Sequence, residues 1–320
     1  MGKNKNIQQN ENKILTPHTS RSWTKALILG FFIGIAVIVP GVSGSTVAII
    51  LGMYAALLYA IGNIFNDFKR CAAFLLPIGI GAAVGFLSGF FVIQKFFSDY
   101  VFEIVCLFVG LMIGGIPAIF NEIKGERLTT LRGFLFPIGI LMPILVGIVS
   151  ILLTTGGNLT QNESFMAFTP MLFLLYFPLG IAVSATQIIP GLSATALLMA
   201  CGQFKPILNI LHLDYILENP LIIGLYASIG IGFLLGLVII SRLFSELIKR
   251  KKATTFYLVT GLSVGSIISM FINPDTWSVY TLWGNNEGNM TLSLTIGIIL
   301  FLIGLTSSFY LTRYELRENN

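Results

Sequence analysis

Two stretches of this chain place hydroxyl residues directly after a Pro-Gly pair, inside otherwise apolar sequence. They are Pro40-Gly41-Val42-Ser43-Gly44-Ser45-Thr46 and, 150 positions later, Pro190-Gly191-Leu192-Ser193-Ala194-Thr195. Gly52 and Gly202 close the two stretches at the same offset. A helix that restarts after Pro-Gly exposes unpaired backbone N–H groups and the positive end of its dipole, which together favour an anion, above all a phosphate. Ser43, Ser45 and Thr46 add hydroxyl donors at one such helix start, and Ser193 and Thr195 at the other. Gly41 and Gly191 keep the backbone open to a close approach, while Gly44 and Ala194 hold equivalent places in the two motifs. The same hydroxyls could instead cap their own helices, as Ser and Thr often do. Duplication favours a shared task, because capping alone does not account for two matching breaks.

Further polar residues flank these motifs. Gln187 precedes the second Pro-Gly and could donate to a bound oxyanion or to a neighbouring helix. Lys95 and Arg242 end repeat-related apolar segments, so they form either a basic gate at each face or snorkelling helix ends. No metal site or cofactor motif is apparent. His18 and His212 are the only histidines, and neither falls near the motifs.

The elements that carry these residues are membrane spans. The chain has 320 residues, of which 55% are hydrophobic and 10% charged, and its mean hydropathy is +0.87. That composition excludes a soluble globule and points to an all-α polytopic membrane protein. Residues 1–23 read as a basic cytoplasmic tail with no cleavable leader, and 313–320 as a second cytoplasmic tail. The three cysteines lie in or beside apolar runs and read as packing residues.

The apolar runs 26–39 and 42–54 would be only about 21 and 20 Å long as helices, short of the ~30 Å hydrocarbon core. They read as a re-entrant or broken-helix hairpin, and 170–189 with 191–204 reads likewise, with Pro206 ending its second arm. Three full spans follow each hairpin, giving repeats over 24–153 and 170–312 joined by a linker at 154–169. Lys and Arg cluster in the N-terminal tail, at 69–70, 124–132, 242–252 and 313–317, while 154–169 and 273–290 contain none. The positive-inside rule then places both termini inside and both Lys- and Arg-free segments outside. Three spans per half make the second repeat inverted relative to the first. Gly110 and Gly114 match Gly261 and Gly265, a spacing that reads as close helix packing.

Inverted repeats with discontinuous helices commonly bind substrate near the midplane, between the breaks. Over 24–312, the motifs PGVSGSTVAIILGMY (40–54) and PGLSATALLMACGQF (190–204) resemble the PopT family of bacterial polyprenyl-phosphate transporters. The resemblance implies a flippase in the bacterial cytoplasmic membrane that returns undecaprenyl phosphate for cell-wall precursor recycling, with the lipid phosphate as its partner and no nucleic acid. Two positions where that family is expected to carry acids hold Val37 and Ala55. The alternatives are a transporter or channel for a small soluble anion and an intramembrane lipid pyrophosphate phosphatase. Gly44 and Ala194 stand where a phosphatase loop of that kind would carry arginine. With no activating acid, His or Arg near the motifs, hydrolysis lacks its means.

Overall fold

The computed structural model of the protein describes residues 20–40, 53, 56, 57, 60, 67–155, 170–189, 192–209 and 222–318. Among these residues every regular element is a helix, as lipid requires of a chain that must pair its backbone groups internally. Six candidate spans are long and apolar enough to cross a bilayer: Phe68–Asp99, Val101–Asn121, Thr130–Thr155, Ile223–Phe244, Glu246–Gly284 and Met290–Tyr314. They match the six full spans read from the sequence.

The chain divides into two compact units, residues 1–93 with 311–320 and residues 94–310. In the first, α1 (Ser20–Ile38) lies against the leading part of α2 (Phe68–Asp99). Small residues let the backbones meet: a β-carbon on Gly30 would collide with the carbonyl oxygen of Ile78, and one on Gly81 with that of Leu27. Ala26, Leu29, Ala60, Cys71, Phe74 and Ile78 form the buried core beside this contact. The apolar part of α1, Trp23–Ala36, is too short to span.

The second unit holds α3 (Val101–Asn121), α4 (Thr130–Thr155), α5 (Pro170–Ile188), α6 (Ala194–Ala200), α7 (Phe204–Asn209), α8 (Ile222–Ser269), α9 (Pro274–Gly284) and most of α10 (Met290–Glu318). Lys251 breaks α8 with a non-helical φ of −147° and ψ of 52°, so its two halves run as separate spans. The first half packs on α5, where a β-carbon on Gly180 would meet Ile229 O and one on Gly232 would meet Phe177 O. Gly180 and Gly232 lie 150 and 151 positions after Gly30 and Gly81. A glycine contact between a 19-residue helix that ends just before a Pro-Gly pair and a longer helix is therefore made once in each unit.

Around the kink, the α3–α4 connection is tied to α8. Arg132 pairs with Glu126 at 3.1 Å and donates from Nε to Thr254 at 3.4 Å, while Lys252 pairs with Glu122 at 2.9 Å.

Two expectations change. The arm read as 191–204 ends earlier, because Gly202 takes a left-handed φ of 66° after Ala200. Gln203 N–H then donates to Leu198 O at 2.8 Å and Gly202 N–H to Met199 O at 2.9 Å, the paired closure of a glycine-terminated helix. Pro206, expected to end the arm, lies inside the next helix, α7. The segment read as a loop over 273–290 folds into α9, because Asn273 accepts from the N–H groups of Asp275 and Thr276 and Pro274 fills the first helical position. The first hairpin's second arm, 42–54, lies outside the described residues apart from Met53, as does the linker 154–169 beyond Thr155.

Candidate functional site

Both Pro-Gly segments coincide with real helix ends. α1 closes at Ile38, Val39 N–H still reaches Ile35 O at 3.1 Å, and Pro40 is buried. Gly41, Ser43, Gly44, Ser45 and Thr46 lie outside the described residues, as does Gly191. In the second unit α5 closes at Ile188, and the chain restarts at Ser193, the N-cap of α6.

Ser193 is buried, with extended backbone at φ −120° and ψ 128°, and its Oγ accepts from Ala196 N–H at 3.2 Å. The capping expectation therefore holds. It does not consume the side chain, because a hydroxyl that accepts at its oxygen still has its own O–H to donate. Thr195 is buried two positions further on, and Ala194, between them, is half-buried.

α6 is fixed at its far end. The Tyr176 hydroxyl donates to Gln203 Oε1 at 2.8 Å, and the ring of Phe204 stands edge-on to Phe97 at 4.8 Å between centroids. A β-carbon on Gly202 would lie 2.8 Å from Ser150 Oγ and 3.1 Å from the Pro274 ring, so α4 and α9 close around this turn.

The remaining sequence-derived residues are placed differently. Gln187 is exposed, and its amide Nε2 donates to the adjacent Thr186 Oγ1 at 3.4 Å. Lys95 and Arg242 are exposed on long helices. Sequence reasoning missed Glu103 and Asp275, acids drawn into the second unit. Glu103 is 6% exposed in the first turn of α3, and one oxygen of Asp275 is buried with no hydrogen-bond partner among the described residues. Asn-Pro-Asp at 273–275 was the available signal for the latter, as a capping residue, a first-turn proline and a first-turn acid. Among the described residues no group of three or more His, Cys, Asp and Glu could hold a metal ion.

Long apolar spans mark an integral membrane protein, and helices that close at Ile38 and Ile188, just before the two Pro-Gly pairs, suit a transporter. The chain belongs to the undecaprenyl phosphate translocase-like family, whose model matches residues 33–289. It is 28% identical over 283 residues to a polyprenyl-phosphate transporter of Staphylococcus aureus (strain NCTC 8325 / PS 47), covering 88% of this chain and 94% of that protein. A polyprenyl-phosphate transporter of Vibrio cholerae is 24% identical over 287 residues, 80% of each chain. No solved structure matches the chain.

Proposed function

We propose that the chain is a flippase that returns undecaprenyl phosphate across the bacterial cytoplasmic membrane for reuse in cell-wall precursor synthesis. Membership of the translocase-like family over residues 33–289 carries this reading, supported by relatives named polyprenyl-phosphate transporters. The protein works as a transporter rather than an enzyme. Its substrate joins a long apolar chain to an anionic head group, and each part has a counterpart here. The apolar chain can lie in lipid against the exposed apolar faces of the spans. The head group needs hydrogen-bond donors in a region without water.

In this reading each Pro-Gly break contributes donors to the phosphate. Gly41, Ser43, Gly44, Ser45 and Thr46 serve from the first break. Gly191, Ser193, Ala194 and Thr195 serve from the second, with Gln187 beside it. The Ser193 O–H, left free by the cap, is the described donor best suited to a phosphate oxygen. Lys95 and Arg242, exposed at long-helix positions, would attract the head group at the two membrane faces. The halves 24–153 and 170–312 are inverted repeats, both termini are cytoplasmic, and 154–169 and 273–290 face outward.

Proteoliposomes containing the full chain test the reading. Transfer of a polyprenyl phosphate between leaflets should accelerate relative to protein-free vesicles, and inorganic phosphate should not be carried. Uptake of inorganic phosphate without lipid transfer would turn the assignment to a soluble-anion transporter.

A further inference from the structure

Positive charge gathers where the α3–α4 connection meets the kink of α8. Residues 122–132 and 246–252 together hold seven Lys and Arg against three Glu. Each of those acids is engaged: Glu122 by Lys252, Glu126 by Arg132 and Glu246 by Arg250. Lys124, Arg127, Lys249 and Lys251 are exposed and have no carboxylate partner among the described residues. The two segments are fastened to each other, so these four cations belong to one end of the second unit. Besides the Lys252–Glu122 pair at 2.9 Å, the Tyr257 hydroxyl donates to Glu126 O at 3.4 Å, and Arg132 Nε donates to Thr254 Oγ1 at 3.4 Å.

An open cavity of about 540 Å³ lies at the same end, lined by Pro117, Phe120, Asn121, Ile123 and Lys124. Pro117 and Phe120 lie inside the span Val101–Asn121, whereas Lys124 comes three positions after its last residue. The groove therefore runs from hydrocarbon depth to head-group depth, apolar first and cationic last. That order suits a ligand with an apolar chain and an anionic head. A small soluble anion would leave the apolar floor unused, and the ammonium of a zwitterionic phospholipid would meet like charge.

We propose that this groove binds an anionic phospholipid of the surrounding leaflet, at a site separate from the Pro-Gly breaks and the substrate assigned to them. Phe120 and Pro117 receive the acyl chain, and Lys124 receives the phosphate. Lys249 and Lys251, on the kink, attract the same negative charge from α8. The bound lipid in turn offsets the mutual repulsion of cations that no carboxylate neutralises.

Native mass spectrometry of the full chain in a neutral detergent tests the site independently of the transport reading. With phosphatidylglycerol and phosphatidylcholine of identical chains present in equal amounts, the phosphatidylglycerol adduct should dominate roughly tenfold. Combining Lys124→Gln, Lys249→Gln and Lys251→Gln should bring the two adducts close to parity, and the same three positions changed to Arg should keep the preference. Phe120→Ala, which alters no charge, should lower phosphatidylglycerol retention. Should Phe120→Ala fail to fold, the lysine variants, all at exposed positions, carry the test. A polyprenyl phosphate added at the same concentration should leave the phosphatidylglycerol adduct in place. The proposal is overturned by equal retention of the two phospholipids in the native chain, by a preference that survives the triple Gln variant, by retention unchanged in a folded Phe120→Ala, or by displacement of phosphatidylglycerol by the polyprenyl phosphate.

Discussion

The carbonyl oxygen of Phe301 occupies the position a β-carbon on Gly110 would take, so α3 and α10 touch backbone to backbone. Gly261 bears the same relation to Phe136 O, joining the second half of α8 to α4. The partner glycines complete the match. A β-carbon on Gly304 would come within 2.5 Å of Leu107 O, and one on Gly139 within 2.7 Å of Leu258 O. Gly110 and Leu107 lie 151 positions before Gly261 and Leu258. In the inverted-repeat reading, the middle full span of each half packs on the last span of the other, which is why the compact units do not coincide with the halves.

Alanine at Gly110 or Gly261 should therefore destabilise the fold by about 1–3 kcal/mol each, because backbone cannot retreat as a flexible side chain can. Gly230, on the first half of α8, has nothing within 4 Å of an added β-carbon. Gly230→Ala should match or slightly exceed the native melting temperature, since alanine is the better helix former by up to about 1 kcal/mol. Thermal melts of the three variants in one detergent check the ranking, and equal melting temperatures would remove the close-packing account.

Gly202→Ala combines two penalties. Its φ of 66° strains any residue with a β-carbon, by about 1–2 kcal/mol, and the new atom would sit 2.8 Å from Ser150 Oγ. Adding Ser150→Ala should restore the part due to the hydroxyl and leave the strain. A melting temperature recovered only partly by the second substitution is the expected result.

Much of this architecture was legible. The six spans follow from apolar runs long enough to cross lipid, and the small-residue contacts from the repeated pair Gly110–Gly114 and Gly261–Gly265. The broken ends of α1 and α5 follow from Pro40 and Pro190. What was not legible depended on long-range packing. Asp275 reads in sequence as part of a polar outer loop, because nothing local reveals that Gly202 and Ser150 pack beside it. The end of α6 was misplaced because Pro206 is a conspicuous helix breaker, yet proline is tolerated in a helix's first turn, and the stop comes from the left-handed Gly202.

Topology follows from charge. With 242–253 carrying Arg242 and Lys249 to Lys252 and 154–169 carrying no Lys or Arg, the first should face the cytoplasm and the second the exterior. Single cysteines at positions 158 and 251 of a cysteine-free version, labelled with an impermeant maleimide in intact cells, should react only at 158. Labelling at 251 alone would reverse the orientation, and equal labelling would remove the inverted-repeat reading.

The last prediction separates capping from binding at the two serines. Ser193 Oγ accepts from Ala196 N–H, so Ser193→Ala removes a cap worth about 1 kcal/mol, and the melting temperature should fall modestly. If the free O–H also donates to the phosphate, the same change removes a charge-assisted hydrogen bond of about 1.5–3 kcal/mol and weakens head-group binding roughly 10- to 150-fold. Ser43, three positions after Pro40 as Ser193 is after Pro190, should behave alike toward the ligand. Gly41→Val and Gly191→Val should weaken binding further, because a branched side chain would fill the space a phosphate must enter. Polyprenyl-phosphate affinity and melting temperature measured on the same purified samples decide the matter. A lower melting temperature with native affinity in both serine variants would leave Ser43 and Ser193 as caps and move the phosphate elsewhere.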